Sequence, residues 1–130
     1  MAQSVTITEI NDPGHNPELN GIQKIIWKWD TMDSGEIKPS LNKTTHKYSG
    51  ECVRLITVPG SPAPSDKYDV IILDEDGYDI LGGGGTDRSN TNTETVHATN
   101  LGACVHTTLS LMVINAGELQ SKGTTILYIR

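Results

Sequence analysis

An apolar rhythm with a period of two recurs along nearly the whole chain, and almost no helical periodicity competes with it. Val5-Thr6-Ile7, Ile25 to Trp29, Val53 to Val58, Tyr68 to Leu73, Val105 to Ile114 and Thr124 to Ile129 are short runs rich in β-branched or aromatic residues. Each is bounded by Gly, Pro, Asn or Asp. Branched and aromatic side chains fit a pleated surface and turn formers punctuate it, so these runs predict strands. About eight short strands at turn-marked intervals predict one all-β domain over 1–130, an antiparallel β-sandwich that is jelly-roll-like. No internal repeat is visible.

The 130 residues are enough for a modest core, yet the hydrophobic share is 35% and Phe is absent. Two tryptophans and four tyrosines must supply the large side chains. So lean a core suits a two-layer sandwich with polar connections, or a subunit that finishes burying its surface against a partner. Ten basic residues stand against sixteen acidic ones, a formal charge of −6. An acidic surface repels phosphate backbones, so no nucleic-acid partner is expected. No stretch approaches the ~20 apolar residues of a membrane span, and the first residues lack a basic segment followed by an apolar run. Synthesis in a cytosol and no membrane partner are the expectation.

Along the chain, a strand near Ser4 to Ile10 leads into turn formers, so a loop or arm is expected over 11–21. Ile25, Trp27 and Trp29 alternate with Ile26, Lys28 and Asp30, which puts both indoles on one strand face. They are read as core. The competing reading is a wall on which a sugar stacks, since Trp offers area at low entropic cost. Glu51 to Val58 is partly apolar on both faces and predicts a central strand or one covered on both sides. Pro59-Gly60-Ser61-Pro62-Ala63-Pro64 is a stiff surface loop, because proline cannot donate to an inner ladder.

Tyr68 to Leu73 and Tyr78 to Leu81, joined through Asp74-Glu75-Asp76-Gly77, predict a hairpin with an Asp-Gly turn. Gly82 to Thr93 is low in hydrophobicity and is expected to be flexible. Thr95 to Ala98 predicts a short strand. Cys104 to Ile114 is the longest apolar run, with Val105, Thr107, Leu109, Leu111 and Val113 on one face, and it is expected to form a terminal hairpin with Thr124 to Ile129. Cys52 and Cys104 are read as buried thiols, with a bridge between them the alternative.

Candidates for chemistry fail on spacing. The four glycines at 82–85 lack the Lys-Ser/Thr and helix of a phosphate loop. Asp74, Asp76 and Asp79 around Gly77 lack the spacing of a calcium loop, and a hairpin turn explains them. His15, His46, His97 and His106 are scattered, and Ser61, Ser89 and Ser110 lack a nucleophile elbow. No catalytic residue, metal or cofactor is expected, and an enzyme is set aside in favour of a protein that works by its surface.

Glu51 to Gly60, Tyr68-Asp69-Val70, Asp74-Glu75-Asp76-Gly77-Tyr78-Asp79-Ile80-Leu81-Gly82-Gly83, Asp87-Arg88-Ser89 and Gly123 to Arg130 together resemble small structural proteins encoded among the head and neck genes of tailed bacteriophages. The likeness spans most of residues 20–130 and carries no functional residues over. It implies a virion protein on the capsid surface, made in the host cytoplasm: a decoration or cement subunit that binds the major capsid protein and copies of itself, as dimer or trimer. A head-to-tail joining protein, or a carbohydrate-binding adhesin domain using Trp27 and Trp29, are the alternatives. Loops that order at subunit junctions suit such a role. Pro59, Pro62 and Pro64 in one loop, and Gly82, Gly83, Gly84, Gly85, Arg88 and Asn90 in another, are the expected partner contacts, together with the arm at 11–21.

Overall fold

A computed structural model describes residues 3–10, 21–32 and 34–130, and the arm expected at 11–21 lies outside the described residues apart from Gly21. Eight strands form among them: β1 (Ser4–Ile10), β2 (Gln23–Asp30), β3 (Tyr48–Pro59), β4 (Asp69–Leu73), β5 (Glu94–His97), β6 (Ala103–Thr107), β7 (Ser110–Ile114) and β8 (Lys122–Ile129). All pairings are antiparallel. One sheet runs β1-β2-β8-β3-β5, with β6 paired to the start of β3; the second is β4-β7. The chain is an antiparallel, jelly-roll-like β-sandwich.

The period-two pattern decides which residues meet between the layers. From the large sheet, Ile25, Trp27, Trp29, Leu55, Leu127 and Ile129 point inward and are buried. Val70 and Ile72 of β4, with Leu111 and Val113 of β7, face them and are also buried. Each such side chain contributes about 1.5–3 kcal/mol by leaving water. Trp29 packs edge-on against Tyr68, ring centroids 5.8 Å apart, and its Nε1–H donates to Thr125 Oγ1 at 3.2 Å. Gly123 lies under this indole, where a Cβ would collide with the ring. Cys52 and Cys104 are both buried and unbridged.

Side chains, turns and loops cover the sheet edges. Gln3 presents its amide to Lys38 like a peptide group: Nε2–H donates to Lys38 O at 3.1 Å and Oε1 accepts from Lys38 N at 2.6 Å. Further along β1, the Glu9 carboxylate accepts from Thr45 N, Thr45 Oγ1, His46 N and Tyr48 OH. Beside β7, single bridges pair Ile37 with Val113 and Lys43 with Ser110. The free edge of β4 is occupied by residues 79–88, through Ile80 N to Ile72 O, Val70 N to Gly85 O and Arg88 N to Tyr68 O.

Three sequence expectations are corrected. The run Cys104 to Ile114 is two strands, β6 and β7, in different sheets, broken at Thr108–Leu109, and within β6 the backbone at His106 turns to φ 43° and shifts the phase of the side chains before it. Val105 is consequently 84% exposed, while Leu109, Leu111 and Val113 are buried. Second, β7 and β8 are not a hairpin: β7 pairs with β4, and β8 runs between β2 and β3. Third, the Asp-Gly hairpin stops after a single bridge, Leu73 with Asp79. The Asp79 carboxylate there accepts from Ile72 N, Leu81 N and Gly83 N, folding the second arm into turns.

Candidate functional site

The outward side chains of the large sheet form a second, different surface. Register aligns them in rows. Lys24, Tyr128, Arg54 and His97 lie side by side across β2, β8, β3 and β5, with Ile10 of β1 beyond Lys24. The next row is Thr8, Ile26, Ile126, Ile56 and Thr95. The third is Thr6, Lys28, Thr124 and Val58. Three isoleucines on adjacent strands thus make an apolar centre, with cationic rows on either side. Ile26, Ile56, Ile126, Val58 and Tyr128 are half-buried, while Lys28 and Arg54 are exposed. The Lys24 ammonium sits 5.3 Å from the centre of the Tyr128 ring, within cation–π range. No described strand lies over this face. The strand at Glu51 to Val58, expected to be central or covered on both sides, is central, lying between β8 and β5.

Charge separates this surface from the rest of the chain. Its three rows hold Lys24, Lys28 and Arg54 and no carboxylate. At one border Asp30 is matched by Lys122, 3.8 Å away. At the other, Glu51 lies in register with Arg130, exchanging both backbone hydrogen bonds with it. These rows are net positive on a chain whose formal charge is −6.

The residues singled out from sequence lie elsewhere. Pro59 ends β3, Pro62 is exposed in the following loop, and Pro64 is buried. That loop is tied down by Gly60 N to Lys122 O, Lys122 N to Pro62 O and Ser65 N to Ala116 O. Gly82 and Gly83 are exposed in turns, with φ of 59° and 83°. Gly84 and Gly85 approach backbone closely, at Asn100 O and Val70 O, where a Cβ has no room. Arg88 pairs with Glu94 at 3.8 Å, and the Asn90 amide donates to Asp66. Asp66, Lys67, Arg88 and Asn90 are brought together. Pro62 and the Gly82–Gly83 tip have no hydrogen bond between them. Residues 82–93 form a series of hydrogen-bonded turns.

The sugar-stacking reading is corrected outright: Trp27 is 0% and Trp29 3% exposed, so neither indole offers a face to a ligand. Asp74 and Asp79, either side of Gly77, are turn caps, with Asp74 Oδ1 accepting from Asp76 N and Tyr78 N. No group of three His, Cys, Asp or Glu placed to hold a metal occurs among the described residues. Burial pushes the Cys52 thiol up to about 12 and the Cys104 thiol to about 11, so neither is a ready nucleophile near neutral pH. At Glu9 burial favours the neutral acid, yet hydrogen bonds from Thr45, Tyr48 and His46 outweigh it and hold the carboxyl below its ordinary 4.5.

What sequence reasoning missed is the outward face. Its signal was the off-phase positions of three strands: Lys24, Ile26 and Lys28; Arg54, Ile56 and Val58; Thr124, Ile126 and Tyr128. Each set mixes a branched apolar residue with polar or cationic neighbours, but only the register brings the isoleucines into line.

No protein-family model matches the chain, and no curated protein does. Among solved structures it is similar to a sugar phosphate isomerase from a cupin superfamily of Silicibacter pomeroyi, at 8% identity and a TM-score of 0.31 over 98% of this chain and 72% of that one. It is also similar to an oxalate oxidase solved with the substrate analogue glycolate, at 12% identity and a TM-score of 0.32. There it covers 95% of this chain and spans half of the oxidase's length. Both neighbours are enzymes, so the exclusion of an enzyme drawn from sequence is withdrawn. Neither activity passes to this chain on a likeness of that size.

Proposed function

We propose that this chain is a structural subunit that works by holding a protein surface. In the setting its sequence resembles, it decorates the head of a tailed phage by binding the major capsid protein. The supporting observation is the open face of the large sheet, with Ile26, Ile56 and Ile126 aligned on three adjacent strands. A sheet backed by a buried core is a rigid platform and loses little freedom on docking, which favours association. Its five principal strands span about 24 Å by 26 Å, on the order of 600 Å². That is most of the ~800 Å² one partner brings to an interface of standard size. Many copies on a symmetric shell add by avidity, so each contact need be only modest.

Purified particles test the reading. Quantitative mass spectrometry is expected to count copies on the order of hundreds per particle. A count of about six or twelve would instead assign the neck. Absence of the polypeptide from particles would contradict the proposal.

A further inference from the structure

We infer that the partner docked on the outer face of the large sheet is an acidic protein surface with an apolar centre, and not the same face of a second copy. The inference deepens the protein-holding function proposed above and rests on it. Lys24, Lys28 and Arg54 flank the isoleucine row from both sides, with no carboxylate in the three rows, on a chain whose formal charge is −6. Two copies meeting face to face would oppose these cations to one another across a desolvated centre, which is repulsive. A partner carrying carboxylates around its own apolar residues meets complementary charge at every flank and covers the isoleucines at the centre.

The same geometry argues against other anionic partners. A phosphate polymer needs cations but gains nothing from a central row of isoleucines, which provide no ring for a base to stack on. A bilayer surface favours side chains that project and insert. Among the described residues the apolar side chains that project most are Leu41, Tyr78, Val105 and Leu119, and none belongs to this face. Ile26, Ile56 and Ile126 sit half-buried between their strand neighbours, as suits a flat protein contact.

The test is an NMR titration of the whole chain with a soluble peptide of alternating Glu and Val. The matching Lys–Val peptide, single-stranded DNA and phosphatidylserine vesicles serve as controls. Expected are shifts confined to Ile26, Ile56, Ile126, Tyr128 and their neighbours with the acidic peptide, weakened roughly tenfold as salt rises to about 0.5 M. The K24E/K28E/R54E variant is expected to lose the acidic peptide and gain the basic one. Lys28→Glu alone, at an exposed position, is expected to weaken binding several-fold and serves if the triple variant does not fold. Equal binding of the basic peptide, preference for DNA or vesicles, shifts elsewhere, or no binding would overturn the inference. A variant that decorates particles as well as the unaltered chain would refute the acidic partner while the protein-holding function stands. A chain that never joins particles would remove the capsid setting, and the peptide titration would still decide the chemistry of the face.

Discussion

On β2, Ile25, Trp27 and Trp29 point into the sandwich, while Lys24, Ile26 and Lys28 point out of it. On β8, Thr125, Leu127 and Ile129 are inward, and Thr124, Ile126 and Tyr128 outward. The same strands in one register thus carry two surfaces. The inner one is continuous, aromatic and closed, and its polar groups are few: Trp29 gives its N–H to Thr125. The outer one sets an apolar line between cations and stays half-open. A chain that needed only to fold would place polar residues along the outer line, because each exposed isoleucine costs solubility and invites association. Retaining three in line, on a chain with so small an apolar share, points to a surface that is completed by something else.

Substitutions separate the faces by the size of their effects. Trp27→Ala should destabilise the fold by about 3–5 kcal/mol in denaturant melts, since a fully buried indole leaves a cavity. A loss under about 1 kcal/mol would show that the inner face is not packed as described. Gly123→Ala puts a methyl into the Trp29 ring and should cost about 1–3 kcal/mol by overpacking. Trp29 fluorescence should shift at the same time.

Glu9→Gln, at the edge of β1, should cost about 1 kcal/mol, at the low end for a charged hydrogen-bond acceptor because the site is partly open to water. The pH dependence follows from the sign of the shift. The folded carboxyl titrates below 4.5, so its contribution is present above that pH and is lost as pH falls through the folded value. Urea midpoints at pH 7 and pH 3 should therefore differ less in the glutamine variant than in the unaltered chain. Smallest of all, Lys28→Glu on the outer face should change stability by less than about 0.5 kcal/mol while altering binding. A larger loss of stability would make that lysine part of the fold.

Much of the inner face was legible in the sequence. The alternation at Ile25 to Trp29 located β2 and put both indoles on its buried face, and the β-branched run at Thr124 to Ile129 located β8. The break inside Cys104 to Ile114 was not legible, because Thr107 and Thr108 are β-branched and continue the strand pattern across it, and no Gly or Pro marks the positive φ at His106. Nor was the shortened hairpin, where the Asp79 side chain competes for backbone amides that a ladder would otherwise take. Composition marked the glycine loop as flexible and the proline loop as stiff, but it carries no information on which backbone groups these loops approach. In the fold Gly85 approaches Val70 O at the edge of β4 and Gly84 approaches Asn100 O, each where a Cβ has no room. The outer face needed pairing information: Lys24, Tyr128 and Arg54 come from three distant segments, and only the order β2-β8-β3 sets them side by side.

The contrast between the faces can be measured in one experiment, with isoleucine methyl groups labelled and a soluble gadolinium chelate added to the isolated chain. The methyl signals of Ile26, Ile56 and Ile126 should broaden strongly, while those of Ile25, Ile72 and Ile129 stay sharp. Equal protection of both sets would mean that the outer row is already covered within the chain, and the surface on which the proposed function depends would not exist.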